Sequence, residues 1–291
     1  MAIFALLAYV AEAFPVGSNL APANSSSSGE TPSTDTIFES TNTEVDLKAI
    51  PFKEPGTIKL IVLDPGHGGK DYGAIGASGL NEKDVTLKVA KELQISLRRA
   101  LGAKVLLTRD TDTYLTLSER TTFANKEKAD IFISIHANAS TRRAAKGIET
   151  YFLSYEASDN EARKVAAFEN EVVKLEGKTH GAPTSEIEAI LWDLTKSNAH
   201  HESSRLAESI HNPLVKALRG ENRGVKQAPF YVLMGATMPA ILLEVGFISN
   251  RKEERALARK KTHAKIADAV TDGMLRFEEV LNKASGLVKL K

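Results

Sequence analysis

Apolar positions along the chain switch between two spacings, and the switches predict the elements. Ile58 to Leu63, broken only by Lys59, is a continuous β-branched run of strand length that stops at the turn signal Asp64-Pro65-Gly66. A glycine-rich loop, Asp71 to Gly79, follows. Val85, Val89, Leu93, Leu97 and Leu101 then recur at every fourth position, a helical ridge with Asn81 placed to cap it and Asp84 in its first turn. Lys104 to Thr108 predicts a second strand and Leu117 to Ala129 a second helix, with Glu119, Arg120 and Lys126 on its polar side. Strands are expected at Ile131 to Ile135, Gly147 to Ser154, Phe230 to Met234 and Ala240 to Val245. A final helix carries Ile266, Val270, Met274, Phe277 and Leu281 on one face. The order β-α-β-α-β-β, an insertion, then β-β-α predicts an α/β class: a single domain with a mixed sheet flanked by helices.

The flanks read differently. Residues 1–14 are apolar apart from Glu12, and Ala11-Glu12-Ala13 fits a small-x-small cleavage site, so a signal-peptide remnant and export are expected, although no Lys or Arg precedes the run. Residues 15–54, rich in Ser, Thr, Asn and Pro, read as a flexible linker. The folded domain is expected over 55–284, with a short tail at 285–291. Within it, 155–213 is longer than a simple crossover needs. Asn160 to Gly177 is charged and helix-prone, and Lys178 to Ser185 breaks it. Ile187, Ile190, Leu191 and Leu194 then return to helical spacing, and a further helix with Leu206, Ile210, Leu214 and Leu218 is expected to kink at Pro213.

Charge and composition narrow the chemistry. Among 291 residues, 38 Lys and Arg nearly balance 37 Asp and Glu, so no global field points to nucleic acid or an anionic membrane. There is no cysteine, which excludes disulfides, thiol nucleophiles and zinc-thiolate sites. Any metal must be held by histidine and carboxylate.

Three strand ends carry polar groups that a core would not tolerate: His67 after the first strand, His136 after the third and Glu244 near the end of the last. Open α/β sheets bind ligands outside the carboxyl ends of their strands, so these residues can converge. Glu82 joins them at the start of the first long helix, where the dipole favours its ionised form. Two imidazoles and one carboxylate make a three-ligand zinc site with a fourth position left for water. Each residue also has a plain reading, as a loop or buried histidine, a helix-start carboxylate or a salt-bridge partner. His200 and His201 point in different directions from one helix and make a poor metal pair; with His180 and His211 they read as a solvated helix face, and His263 is similarly unremarkable.

Leu-Asp-Pro-Gly-His-Gly-Gly (63–69), Asn-Glu-Lys-Asp (81–84), Thr-Arg-Asp (108–110), Ser-Ile-His-Ala-Asn (134–138) and Leu-Glu-Val-Gly-Phe-Ile-Ser-Asn (243–250) resemble the motifs of the zinc-dependent N-acetylmuramoyl-L-alanine amidases, the bacterial cell-wall family that includes the cell-division amidases. The resemblance runs from about Ile58 to Leu281 with the motifs in the family's order. It implies zinc bound by His67, Glu82 and His136, with Glu244 as catalytic acid/base. It implies one α/β domain with a six-stranded sheet flanked by helices. The substrate would be peptidoglycan, cut between the muramic acid lactyl group and L-alanine, and the protein would be periplasmic or extracellular. Asn138 and Arg109 are left open between substrate contact and structural support.

The insertion resembles the regulatory segment that the division amidases carry at this place and that a partner protein releases. The expectation is an autoinhibitory helix, Glu186 to Thr195, over the zinc cleft, with Glu186 or Glu188 in the open zinc position. Two rivals stand beside the amidase reading. One is another zinc peptidase acting on wall peptides, although no His-Glu-x-x-His occurs. The other is a non-catalytic wall-binding protein, which would have no use for a water-activating carboxylate.

Overall fold

The computed structural model describes residues 58–176 and 186–284, without the side chains of residues 176, 186–198 and 284. Strand β1 (Leu60–Pro65) leads through the glycine-rich loop to α1 (Glu82–Leu101), then to β2 (Lys104–Leu107), α2 (Leu117–Glu127), β3 (Ile131–Asn138) and β4 (Ile148–Leu153). Next come α3 (Asn160–Asn170), the short α4 (Val173–Glu176), the long α5 (Glu186–Leu218), β5 (Asn222–Ala228), β6 (Ala240–Phe247), α6 (Arg251–Leu257) and α7 (Lys260–Ala284). The signal-peptide, linker and tail expectations for 1–14, 15–54 and 285–291 lie outside the described residues.

The six strands form one sheet in the order β2-β1-β3-β6-β4-β5. Strands β2, β1, β3 and β6 are parallel to one another, while β4 is antiparallel to β6 and parallel to β5. This is the mixed sheet expected. All eight residues of β3 and all eight of β6 are buried. Strands covered on both faces read as unbroken apolar runs, which is why these two are visible in the sequence.

Successive side chains feed two layers. Leu63, Ile133, Ile135 and Leu243 pack against α1, α5 and α7 through Leu93, Leu97, Ile210, Leu214, Val270 and Phe277. Val62, Phe132, Leu242 and Tyr151 face the other way, onto α2 and α3 through Leu117, Ala124, Ala162 and Ala166. Each large side chain so buried stabilises the fold by roughly 1.5–3 kcal/mol, which makes the α1/α5/α7 layer the main anchor. Helix α1 ends at Gly102, whose φ of 64° closes the last turn with its N–H on the Arg98 carbonyl.

Four expectations change. Tyr231–Leu233 form a 3-10 turn rather than a strand, and the fifth strand is Asn222–Ala228. Its sequence, Asn-Arg-Gly-Val-Lys-Gln-Ala, lacks an apolar run because β5 is the sheet's edge, where charge is common. Strands β3 and β6 continue past Ile135 and Val245, which takes His136 into β3, while Glu244 lies in β6 as expected. The two helices expected after residue 185 are one, α5, with Pro213 inside it. Asn81 occupies the N-cap of α1, but its side chain caps nothing. The Glu82 and Lys83 N–H groups donate instead to the Ala74 and Tyr72 carbonyls of the glycine-rich loop.

Candidate metal centre

The turn that presents His67 is fastened from beneath. Asp64 in β1 accepts hydrogen bonds from Thr108 Oγ1 (2.6 Å), Ser134 Oγ (2.8 Å) and Arg120 Nη1 (2.8 Å). Burial alone would raise the Asp64 pKa, but Arg120 and these hydrogen bonds hold it below the ordinary carboxylate value. Arg120 also donates to the Pro65 and His67 carbonyls. Arg109 donates to the carbonyls of Pro65, Gly66 and Lys83 and to Thr86 Oγ1. Both arginines therefore shape the turn, and Arg109 is a structural support.

His67 adopts φ 62°, a left-handed conformation that histidine enters more readily than most residues. Its Nδ1 lies 2.8 Å from Asp71 Oδ2, which fixes the ring and leaves Nε2 facing the cluster. Glu82, the first residue of α1, is fully buried and accepts from the Ala74 and Ala137 N–H groups, each at 2.8 Å. His136 arrives from β3, its ring packed so closely on Gly66 that a Cβ there would lie 2.5 Å from it.

His67, Glu82 and His136 meet, and Glu169 of α3 joins them: the four ligand atoms lie within 4.8 Å of one another. His67 Nε2 is 3.2 Å from Glu82 Oε2 and 3.3 Å from Glu169 Oε2. His136 Nδ1 is 3.2 Å from Glu82 Oε1 and 2.9 Å from Glu169 Oε2. Ligands on a tetrahedral zinc with bonds of about 2.0–2.1 Å stand roughly 3.3 Å apart, so these separations fit one ion's shell. Among the described residues, His67 Nε2 and Glu169 Oε2 are buried without a hydrogen-bond partner, as expected of atoms aimed at a common cation. The residues present fit zinc.

Without a cation the site must take up protons. Burial would lower the His136 pKa, yet Glu169 and Glu82 outweigh it and push the group up to about 9. His67 is raised well above its ordinary value against the same burial cost, chiefly by Glu82 and Asp71. Two imidazolium protons or one divalent ion balance the two carboxylates equally well.

Glu244 sits directly opposite His136 in the β3–β6 register and opposite Glu149 in the β4–β6 register. It is fully buried, and neither carboxylate oxygen has a hydrogen-bond partner among the described residues. Burial first, then repulsion from Glu169, Glu82 and Glu149, raises its pKa well above the carboxylate range. An unpaired carboxyl beside a metal shell is equipped to exchange a proton.

The family model described as N-acetylmuramoyl-L-alanine amidase matches residues 61–276. The chain belongs to this family. It is 35% identical over 226 residues to the N-acetylmuramoyl-L-alanine amidase AmiA of Escherichia coli K12, covering 77% of this chain and 78% of the relative. Among solved structures it is similar to the CwlV catalytic domain from Bacillus (Paenibacillus) polymyxa (31% identity, TM-score 0.56, covering 77% of this chain and 99% of that one). It is also similar to CwlD of Clostridioides difficile, solved in complex with the GerS lipoprotein (25% identity, TM-score 0.57, covering 76% and 99%). The chain is thus a cell-wall amidase, a hydrolase of peptidoglycan, as its motifs implied.

Sequence reasoning missed Glu169. It lies in the charged Asn160 to Gly177 segment, where no spacing distinguishes it from its solvated neighbours. The expectation that Glu186 or Glu188 fills the open position falls on side chains outside those described. Asn138 supports the site indirectly, donating to Glu149 Oε2 at 2.6 Å. The solvated face expected for the other histidines does not hold for His211, which is buried and bonds Thr150 and Asn222; His263 is buried on the Leu257 carbonyl, and His200 packs edge-on against Phe152. Among the described residues, no helix is long and apolar enough to cross a membrane.

Proposed function

We propose that this amidase is a zinc enzyme held in a self-blocked state, with His67, Glu82 and His136 as the metal ligands, Glu244 as the acid/base and Glu169 as the blocking group. The observation that carries the reading is the convergence of two buried imidazoles and two buried carboxylates beside a fifth, unpaired carboxyl. Zinc, when bound, supplies a Lewis acid that polarises the scissile carbonyl and acidifies water. The chain does the rest. Asp71 holds the His67 ring, and the Ala74 and Ala137 N–H groups hold Glu82. Glu244, which acts as base in its ionised form, takes a proton from the attacking water and delivers it to the departing L-alanine nitrogen. Such a transfer contributes about two to four orders of magnitude in rate. Replacing Glu244 with Gln should abolish release of stem peptides while zinc stays bound; near wild-type release would defeat the assignment.

A catalytic zinc keeps one position open for water or substrate. Glu169 contacts both histidine ligands, and α3 packs on the sheet face that His136 shares with Phe132. The insertion therefore shuts the cleft until α3 moves. A protein activator that captures the insertion would open it, and the solved CwlD–GerS complex makes a protein partner reasonable for this family member. The apolar N-terminal stretch and a substrate that lies outside the membrane support export.

A further inference from the structure

Helix α3 covers more than the metal position. Near its N-terminus, Asp159 and Glu161 reach two cations of β5: Lys226 Nζ lies 3.2 Å from Asp159 Oδ2, and Arg223 Nη2 bonds Glu161 Oε2. Both cations also bond one buried oxygen, Glu149 Oε1, at 3.0 Å from Arg223 Nε and 3.1 Å from Lys226 Nζ. Glu149 is fully buried and faces Glu244 across the β4–β6 register. Arg223 has one further, looser partner, the half-exposed Glu221 at 3.6 Å. Without Asp159 and Glu161 each cation keeps one of its two close carboxylate contacts, the shared Glu149, and their side chains are only 18% and 11% exposed with α3 in place. A charge so poorly hydrated calls for a second anion. In the closed form α3 provides it.

The geometry points to Arg223 and Lys226 as an anion subsite of the substrate cleft, which receives a carboxylate of the peptidoglycan stem peptide once Asp159 and Glu161 leave. This rests on the amidase reading above and names what that site would recognise. Lys226 pairs with Tyr151 of β4, which pairs with Leu242 of β6, so the cation shares a sheet face with Glu244, two residues on. Two strand spacings separate β5 from β6, about 10 Å. Along α3, the eight to ten residues between Asp159 or Glu161 and Glu169 span about 12–15 Å. An extended stem peptide covers these distances in about three to four residues, at roughly 3.3–3.6 Å each. A stem peptide carries free carboxylates within that reach, on its γ-linked glutamate and on the residues after it. The blocking helix thus presents one carboxylate to the ligands and two to the cations, on the same face a bound substrate would occupy.

The test uses the full chain carrying Glu169→Ala, so that closure does not mask substrate effects. Synthetic N-acetylmuramoyl peptides are compared with all carboxylates free, with the glutamate α-carboxylate amidated, and with the later carboxylates amidated. The parent should cleave the free form at least about tenfold better in kcat/KM than one amidated form, and the form that suffers identifies the carboxylate. Arg223→Gln and Lys226→Gln should remove that preference mainly by raising KM for the free form, and Lys226→Arg should restore it. A parent that cleaves all three peptides equally well overturns the subsite and leaves the amidase reading intact. Variants that slow all three peptides to the same extent also overturn it, because that is the signature of a structural role. A parent that retains its zinc yet cleaves none of the three, and no purified wall, sinks the amidase reading together with the subsite.

Discussion

Replacing Glu169 with Ala should raise activity, although it removes a carboxylate from the metal centre. In the closed state Glu169 Oε2 contacts His136 Nδ1 at 2.9 Å and His67 Nε2 at 3.3 Å from a position that is 5% exposed. A charge-assisted contact of this kind is worth roughly 1.5–3 kcal/mol net, so its loss should multiply the open population by about 10–150. Other fastenings of α3 remain: Asn170 donates to the Pro229 carbonyl at 2.8 Å and accepts from the Tyr231 N–H at 2.9 Å. Ala162 and Ala166 stay buried against the sheet. Opening should therefore be incomplete, and adding Asn170→Ala should raise the rate further. The assay is release of stem peptides from purified cell wall, with zinc content measured on the same samples. Unchanged or lower activity at full zinc occupancy would refute the blocking role, and lower activity with zinc lost would make Glu169 a required ligand.

The chelated protein should lose stability as pH rises. The His136 pKa is raised from 6.5 to about 9, so its contribution is complete below about pH 6.5 and lost as pH climbs through 9. The loss is on the order of 3 kcal/mol, read as a falling Tm in chelator; a flat profile over that window would contradict the paired imidazolium. Zinc binding should run the other way and weaken on acidification, because ligand imidazoles must be neutral. Gly73→Ala should strip the metal: φ is 63° there, and a Cβ would sit 2.5 Å from the His67 ring and 2.7 Å from Glu82 Oε2. Zinc content after dialysis measures this, and full retention would refute it. Arg120→Ala should destabilise the fold by about 3–5 kcal/mol in urea unfolding, since it leaves Asp64 buried without its cation; a loss under about 1 kcal/mol would show that the network is replaceable.

The sequence by itself determined the buried strands, the ridge of α1 and the identities of His67, Glu82, His136 and Glu244. Each of these is recorded locally, in an unbroken apolar run, a four-residue spacing, or a polar residue where such a run stops. The edge strand β5 escaped because an edge needs no apolar alternation, and Phe230 to Met234 misled because a buried 3-10 turn is as apolar as a strand. Only the tertiary structure decided where Glu169, Glu149, Arg223 and Lys226 lie and what they contact. Their neighbours along the chain resemble any solvated face; their placement comes from the sheet register and from where α3 is laid down. Burial converts a surface-type residue into a ligand or an ion partner by removing water, and the removal of water is a property of the assembled layers that no local window contains.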